Sequence, residues 1–229
     1  MYLVAASMGD VNQLLIVKRN ADLVRDPILE VGSRDYGNTP DLRALFPTAT
    51  YLGVDLSEGK GVDLVLDLAG DFSRVDAALA GARFNTVICF SVLEHVANPF
   101  KMSENISALL RSGGQLFLSV PFSWKIHGYP SDYWRFTADG VRLLFPQIQF
   151  DPARSCMSTS VPEQIRPIDE FMYRWQMSPS AGLKRGQYGL FASLVVRLVR
   201  RLGVLPVVFD YPYVHPPVMI NMIGSKRAP

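Results

Sequence analysis

Cysteine, histidine and charge are all scarce in this chain. The two cysteines, Cys89 and Cys156, lie far apart with no Cys-x-x-Cys, and the three histidines, His95, His127 and His215, are equally scattered. Neither a disulfide framework nor a metal cluster is readable from such spacing. Charged residues make up 19% of the chain, 23 Lys plus Arg stand against 21 Asp plus Glu, and the net charge is +2. A balance so near zero gives no general field for drawing in nucleic acid, and no such partner is expected. An uninterrupted apolar span is missing too. The most apolar late stretch, Tyr188 to Phe209, is broken by Arg197, Arg200 and Arg201, whose burial in lipid is costly, so it is not read as a membrane span. No basic start, apolar run and small-residue cleavage site occur together near the N-terminus, so the cytoplasm is the expected compartment.

What the chain does have is apolar material. Hydrophobic residues make up 48% of 229, which suits one α/β domain with an insertion better than two separate cores. Pro27 to Gly32 is a short apolar run that opens at a proline and closes at a glycine, as buried parallel strands do. Further strands are expected at Tyr51–Asp55, Val62–Leu68, Phe84–Phe90, Gln115–Val120, Gln147–Phe150 and Val218–Ile223. Helical spacing separates them at Phe72–Leu79, Pro99–Leu110 and the stretch that Thr137 caps, ending at Leu144. Strands alternating with helices imply a mostly parallel sheet covered on both faces. Residues 27–150 therefore read as the core, 151–216 as an insertion or lid, and 218–223 as a final strand returning to the sheet. Within the insertion, Phe191, Leu194, Val195, Leu198 and Leu202 share a helical face opposite Arg197, Arg200 and Arg201. That face is read as a lid or core helix, with a membrane-surface or partner contact as the alternative.

Chemistry is expected where strands end, because open α/β sheets bind ligands there. Glu30-Val31-Gly32-Ser33-Arg34-Asp35-Tyr36-Gly37-Asn38 runs from the first strand into a turn with two glycines. Their spacing does not match Gly-x-Gly-x-x-Gly, so the pyrophosphate cradle of a nicotinamide oxidoreductase is not read here. Asp55 ends the second strand where an acid can accept hydrogen bonds from ribose hydroxyls; capping of the next turn is the plainer reading. Asp67 and Leu68 follow the third strand, where they could meet and cover an adenine, although Asp67 could equally be a solvated loop acid. Ser91-Val92-Leu93-Glu94-His95-Val96 follows the fourth strand, and the small Ser91 leaves room for a ligand.

These segments resemble the class I S-adenosylmethionine-dependent methyltransferases, in particular the small-molecule, type 11-like branch that carries Val-Leu-Glu-His-Val after a strand. The resemblance rests on Leu-Glu-Val-Gly-Ser at 29–33, Gly-Val-Asp at 53–55, Val-Leu-Glu-His-Val at 92–96 and Gly-Gly-Gln-Leu-Phe-Leu-Ser-Val-Pro at 113–121. It implies a Rossmann-like sheet, S-adenosylmethionine as cofactor, and methyl transfer to an oxygen or carbon atom of a small molecule or glycan. By resemblance Gly32 faces the methionine part, Asp55 the ribose, and the loop at Ser91 lines the cofactor. The expected contact set is Glu30, Gly32, Ser33, Tyr36, Gly37, Asn38, Asp55, Leu56, Asp67, Leu68, Ser91 and Val92. One departure stands out. The family commonly has Gly-x-Gly where this chain has Gly32-Ser33-Arg34, and Tyr36-Gly37-Asn38 is the expected substitute. A non-catalytic, cofactor-binding protein of the same fold is the competing reading.

The loop from His127 to Phe136 is dense in polar and aromatic groups and follows the fifth strand, where the acceptor is expected. His127 could take a proton, Tyr133 or Trp134 cover a ring, and Arg135 pair with an acidic substrate. The plainer alternative is that the aromatics pack the loop and His127 only hydrogen-bonds. His127, Tyr133 and Arg135 are thus the expected catalytic set, whereas Glu94 and His95 are read as organising a helix start.

Overall fold

Why the chain folds as it does is clearest in its strands, whose apolar runs pair edge to edge. The computed structural model describes residues 12–37, 39–128, 130–168 and 218–228, with pieces at 175–176, 194–195, 198, 201–202 and 213–214. Met1–Phe171 with Pro217–Pro229 forms one unit and Met172–Pro216 a second. The first unit runs α1 (Gln13–Arg19), β1 (Ile28–Val31), β2 (Tyr51–Asp55), β3 (Leu64–Val65), α2 (Phe72–Ala78), β4 (Phe84–Phe90), α3 (Pro99–Leu109) and β5 (Leu110–Ser123). It continues through α4 (Ala138–Leu144), β6 (Ile148–Phe150), β7 (Cys156–Thr159) and β8 (Ile165–Pro167). In the second unit β9 (Trp175–Gln176) pairs antiparallel with β10 (Tyr213–Val214), and β11 (Val218–Lys226) then rejoins the first sheet.

The main sheet has the order β3-β2-β1-β4-β5-β11-β7-β8, with β6 also paired to β11. Pairing is parallel from β3 through β5 and antiparallel from β11 outward, so the sheet is Rossmann-like but mixed. Two of its strands, β7 and β8, stand in the stretch read from sequence as insertion. Alternation along each strand divides the core. Leu29, Val31, Val87, Cys89, Leu116, Leu118 and Val120 point to one face, against Val75 of α2, Met102 and Ile106 of α3 and Val141 and Leu144 of α4. Ile28, Ile88, Phe117 and Ile223 point to the other, against Ile16 and Val17 of α1.

Local signals set the helix starts. Asn98 Oδ1 accepts the Lys101 amide at 3.1 Å with Pro99 at the first helical position, and Thr137 Oγ1 accepts the Gly140 amide at 3.0 Å. Asn12, fully buried, fixes the start of α1: its amide donates to the carbonyls of Thr159 and Val161 at 2.9 and 3.0 Å. β1 pairs with β2 on one side and β4 on the other, so a crevice opens beyond the carboxyl ends of these strands. Among the described residues no helix is long and apolar enough to cross a membrane. In the second unit Leu194, Val195, Leu198 and Leu202 are exposed, while Phe191, Arg197 and Arg200 lie outside the described residues.

Candidate cofactor and acceptor site

A cavity of about 460 Å³ fills that crevice, within the range of small-molecule sites. Its walls include Glu30, Gly32, Tyr36, Asp55, Leu56, Asp67, Leu68, Ser91 and Val92, so the strand ends picked out from the sequence converge. Ser33 and Gly37 do not line it, and Asn38 lies outside the described residues.

Gly32 closes the turn after β1 with φ +79°, and a Cβ there would meet Val92 Cγ2 at 2.3 Å. Backbone therefore faces the cavity at the one point where any side chain would collide. Arg34 stands where the family has its second glycine, and it lines the cavity with its guanidinium 5.0 Å from the Tyr36 ring centroid. Ser33 between them is buried and turned toward β2, where a Cβ on Gly53 would stand 2.7 Å from its Oγ. The loop beyond is tied down by Lys60 Nζ on Asp35 Oδ2 at 2.7 Å and by the Gly37 amide on Asp35 Oδ1 at 2.7 Å.

Asp55 does two things at the end of β2. Its carboxylate accepts the Ser57 amide at 3.2 Å and the Arg34 amide at 3.4 Å, and it lines the cavity. Asp67 likewise accepts the Ala69 amide at 2.8 Å while facing the cavity. The loop that carries it is held from behind by Asn105 of α3, whose amide donates to the carbonyls of Leu68 and Gly70, both at 2.8 Å. Glu30 is packed between the cavity and Tyr51, whose hydroxyl donates to it at 2.8 Å. Burial pushes its carboxyl up to about 7, against the lowering effects of Tyr51 and Arg43.

Ser91 holds a left-handed backbone, φ +55°, and its hydroxyl accepts the Gln13 amide at 2.9 Å. Gln13 lies on α1 and lines the cavity, a contribution that nothing in its sequence neighbourhood signals. Trp124 and Met219 also reach the wall from β-strand ends that carried no motif.

The opposite end is polar. Glu94 and His95 sit in a 3-10 turn, Leu93–His95, rather than at a helix start, and both line the cavity with His127. His95 Nδ1 lies 2.6 Å from the Ser131 carbonyl, and burial holds its imidazole below the ordinary value. The His127 amide donates to Asp132 Oδ2 at 2.9 Å, and His127 Nδ1 lies 3.2 Å from the same oxygen. The Arg135 guanidinium grips Asp132 with bonds of 2.5 and 2.8 Å and holds that carboxyl well below the usual range. It also donates to the carbonyls of Trp124, Lys125 and Trp134. Arg135 thus folds the loop and does not line the cavity; neither does Tyr133, whose side chain is exposed while its amide donates to the Glu94 carbonyl at 2.7 Å. Trp134 donates its indole N–H to the Val96 carbonyl at 2.8 Å, and Tyr129 lies outside the described residues.

A family model described as a methyltransferase domain matches residues 12–158, more than half of the chain. The chain belongs to the methyltransferase-domain family. Solved methyltransferases share its fold at low identity. The 1,6-didemethyltoxoflavin-N1-methyltransferase of Burkholderia thailandensis, solved with its substrate and S-adenosylhomocysteine, has a TM-score of 0.54 at 12% identity, covering 98% of this chain and 80% of that one. A SAM-dependent methyltransferase from Archaeoglobus fulgidus has a TM-score of 0.52 at 11% identity, covering 93% of each chain. Among curated proteins, the ubiquinone biosynthesis O-methyltransferase of Coxiella burnetii is 45% identical over 38 residues, which is 17% of this chain and 16% of that protein. The cavity of this methyltransferase thus has one end along β1, β2 and β4 and a polar end of Glu94, His95 and His127.

Proposed function

We propose that this methyltransferase transfers the methyl group of S-adenosylmethionine to an oxygen atom of a small polar acceptor, bound at the cavity end formed by Glu94, His95 and His127. The residues present suit the cofactor. Gly32 keeps side chains off the turn after β1, Asp55 offers a carboxylate to paired hydroxyls, and Leu68 with Asp67 offers an apolar cover beside an acceptor group. The cofactor supplies an activated methyl group on a sulfonium; the protein needs to hold that carbon and the acceptor atom close and in line, which can lower a barrier by several kcal/mol.

One observation carries the choice of oxygen. Two imidazoles and a buried carboxylate converge at one end of the cavity, where they can orient a hydroxyl and favour loss of its proton. The name of the O-methyltransferase matched over 38 residues agrees with that choice. The test is transfer of a labelled methyl group by the full chain to a panel of phenols, catechols and sugar alcohols. Label on an oxygen supports the reading. Label only on nitrogen or carbon acceptors overturns the choice of atom, and tight binding of S-adenosylhomocysteine with no transfer to any acceptor favours the non-catalytic alternative.

A further inference from the structure

The polar end of the cavity has the make-up of a metal centre. One ligand atom each from Glu94, His95 and His127 lie within 4.8 Å of one another. The two imidazole centroids are 4.9 Å apart with the rings nearly perpendicular, at 84°. Each ring is oriented from behind. His95 Nδ1 faces the Ser131 carbonyl, and His127 Nδ1 faces the Asp132 carboxylate and the Lys125 carbonyl, both at 3.2 Å. An acceptor at Nδ1 places the ring proton there and leaves Nε2 as a lone pair, which is the arrangement that ligating histidines take from their outer partners. Glu94, the acid of the cluster, is buried.

We infer that Glu94, His95 and His127 bind one divalent transition-metal ion at the acceptor end of the cavity. Two imidazoles and one carboxylate suit manganese, iron, cobalt or zinc better than magnesium or calcium, which favour all-oxygen sets. Ligand atoms about 3.4 Å apart would give metal bonds of about 2.1 Å in a tetrahedral site, so a pair at the 4.8 Å limit must close by about 1.4 Å when the ion binds. Three protein ligands leave a coordination position open toward the cavity. Resting on the function proposed above, that position takes the acceptor oxygen. The cation makes its hydroxyl more acidic, the proton leaves to solvent, the oxygen forms the new bond to the methyl carbon, and the sulfur keeps the electron pair of the broken bond. His127 is then a ligand and not the proton acceptor.

The test uses untagged full-length protein, stripped with a chelator and titrated with cobalt(II) alone. One ion per chain should bind, with visible absorption bands that report nitrogen and oxygen ligands. His95→Ala and His127→Ala should each weaken binding at least 100-fold, and Asp132→Asn by 10- to 100-fold through loss of the orienting partner. Unchanged affinity for S-adenosylhomocysteine shows that each variant is folded, and Glu94→Gln keeps the side-chain shape where Glu94→Ala disturbs packing. Absence of stoichiometric binding, or binding that survives both histidine substitutions, overturns the site. Metal binding without methyl transfer to any oxygen acceptor keeps the site and removes the proposed function. Oxygen methylation by the stripped protein does the reverse.

Discussion

Gly32 and Val92 meet in a contact that only glycine allows, since a Cβ on Gly32 would lie 2.3 Å from Val92 Cγ2 at a backbone φ of +79°. Gly32→Ala combines a left-handed backbone penalty with a clash against a stiff, branched side chain. We expect urea unfolding to show a loss of about 2–4 kcal/mol. Adding Val92→Ala should recover the steric part and leave the backbone part. Gly32→Ala with wild-type stability would contradict the geometry at this turn.

Asp55 bonds the Ser57 and Arg34 amides and faces the cavity, so its turn-forming and ligand-binding roles must be separated by measurement. A hydrogen bond to a charged group contributes about 1.5–3 kcal/mol, so Asp55→Ala should weaken S-adenosylhomocysteine roughly 10- to 150-fold. Asp55→Asn keeps one acceptor oxygen and should lose less. Calorimetry on both variants decides the matter: a fall in melting temperature with unchanged affinity would mark Asp55 as a turn residue alone.

The parts of this arrangement that could be read from the sequence are those where burial is two-sided and continuous. β1, β2 and β4 each appear as unbroken apolar runs because helices cover both faces of the sheet, and residues at their ends line the cavity. β7 and β8 are not legible because Pro, Arg and Ser interrupt the pattern around Cys156–Thr159 and Ile165–Pro167; β7 pairs with β11, some sixty residues away, and β8 pairs only with β7. Gln13 could not be read as a cavity residue, since only the packing of α1 across Ile28 and Phe117 brings its amide to Ser91. The pair Glu94-His95 and His127 stand apart in the sequence because they follow two different strands. β4 and β5 are neighbours in the sheet, and that pairing alone brings their loops together. Arg135 reads in the sequence as a substrate contact, but its donors are taken by Asp132 and three carbonyls, a use that a linear sequence does not display.

Asn105 controls the loop at residues 67–70 from outside the cavity. Its amide holds the carbonyls of Leu68 and Gly70, and the residue itself is buried. Asn105→Leu keeps the volume and removes both donors, leaving two carbonyls short of a partner. We expect a loss of about 1–3 kcal/mol per unsatisfied group, moderated where water reaches them. Hydrogen exchange should accelerate at residues 68–70 more than in β1 or β4. Uniform acceleration across the sheet would show that Asn105 supports the whole core and not this loop.

Glu30 makes stability depend on pH in a direction opposite to that of most carboxylates. Its folded-state value is raised from 4.5 to about 7 by burial, so between those values the native state holds a proton that the unfolded chain releases. Raising the pH through that window therefore favours unfolding, by at most about 3 kcal/mol, and the effect is complete above the folded-state value. Glu30→Gln keeps an acceptor for the Tyr51 hydroxyl and cannot ionise. Urea titrations at pH 5, 6, 7 and 8 should then show the wild type losing stability relative to the variant as pH rises, with every other titrating group cancelling in the difference. Parallel profiles would mean that Glu30 is solvated well enough to stay charged throughout, and the carboxylate beside β1 would then be available to a cationic ligand across the whole range.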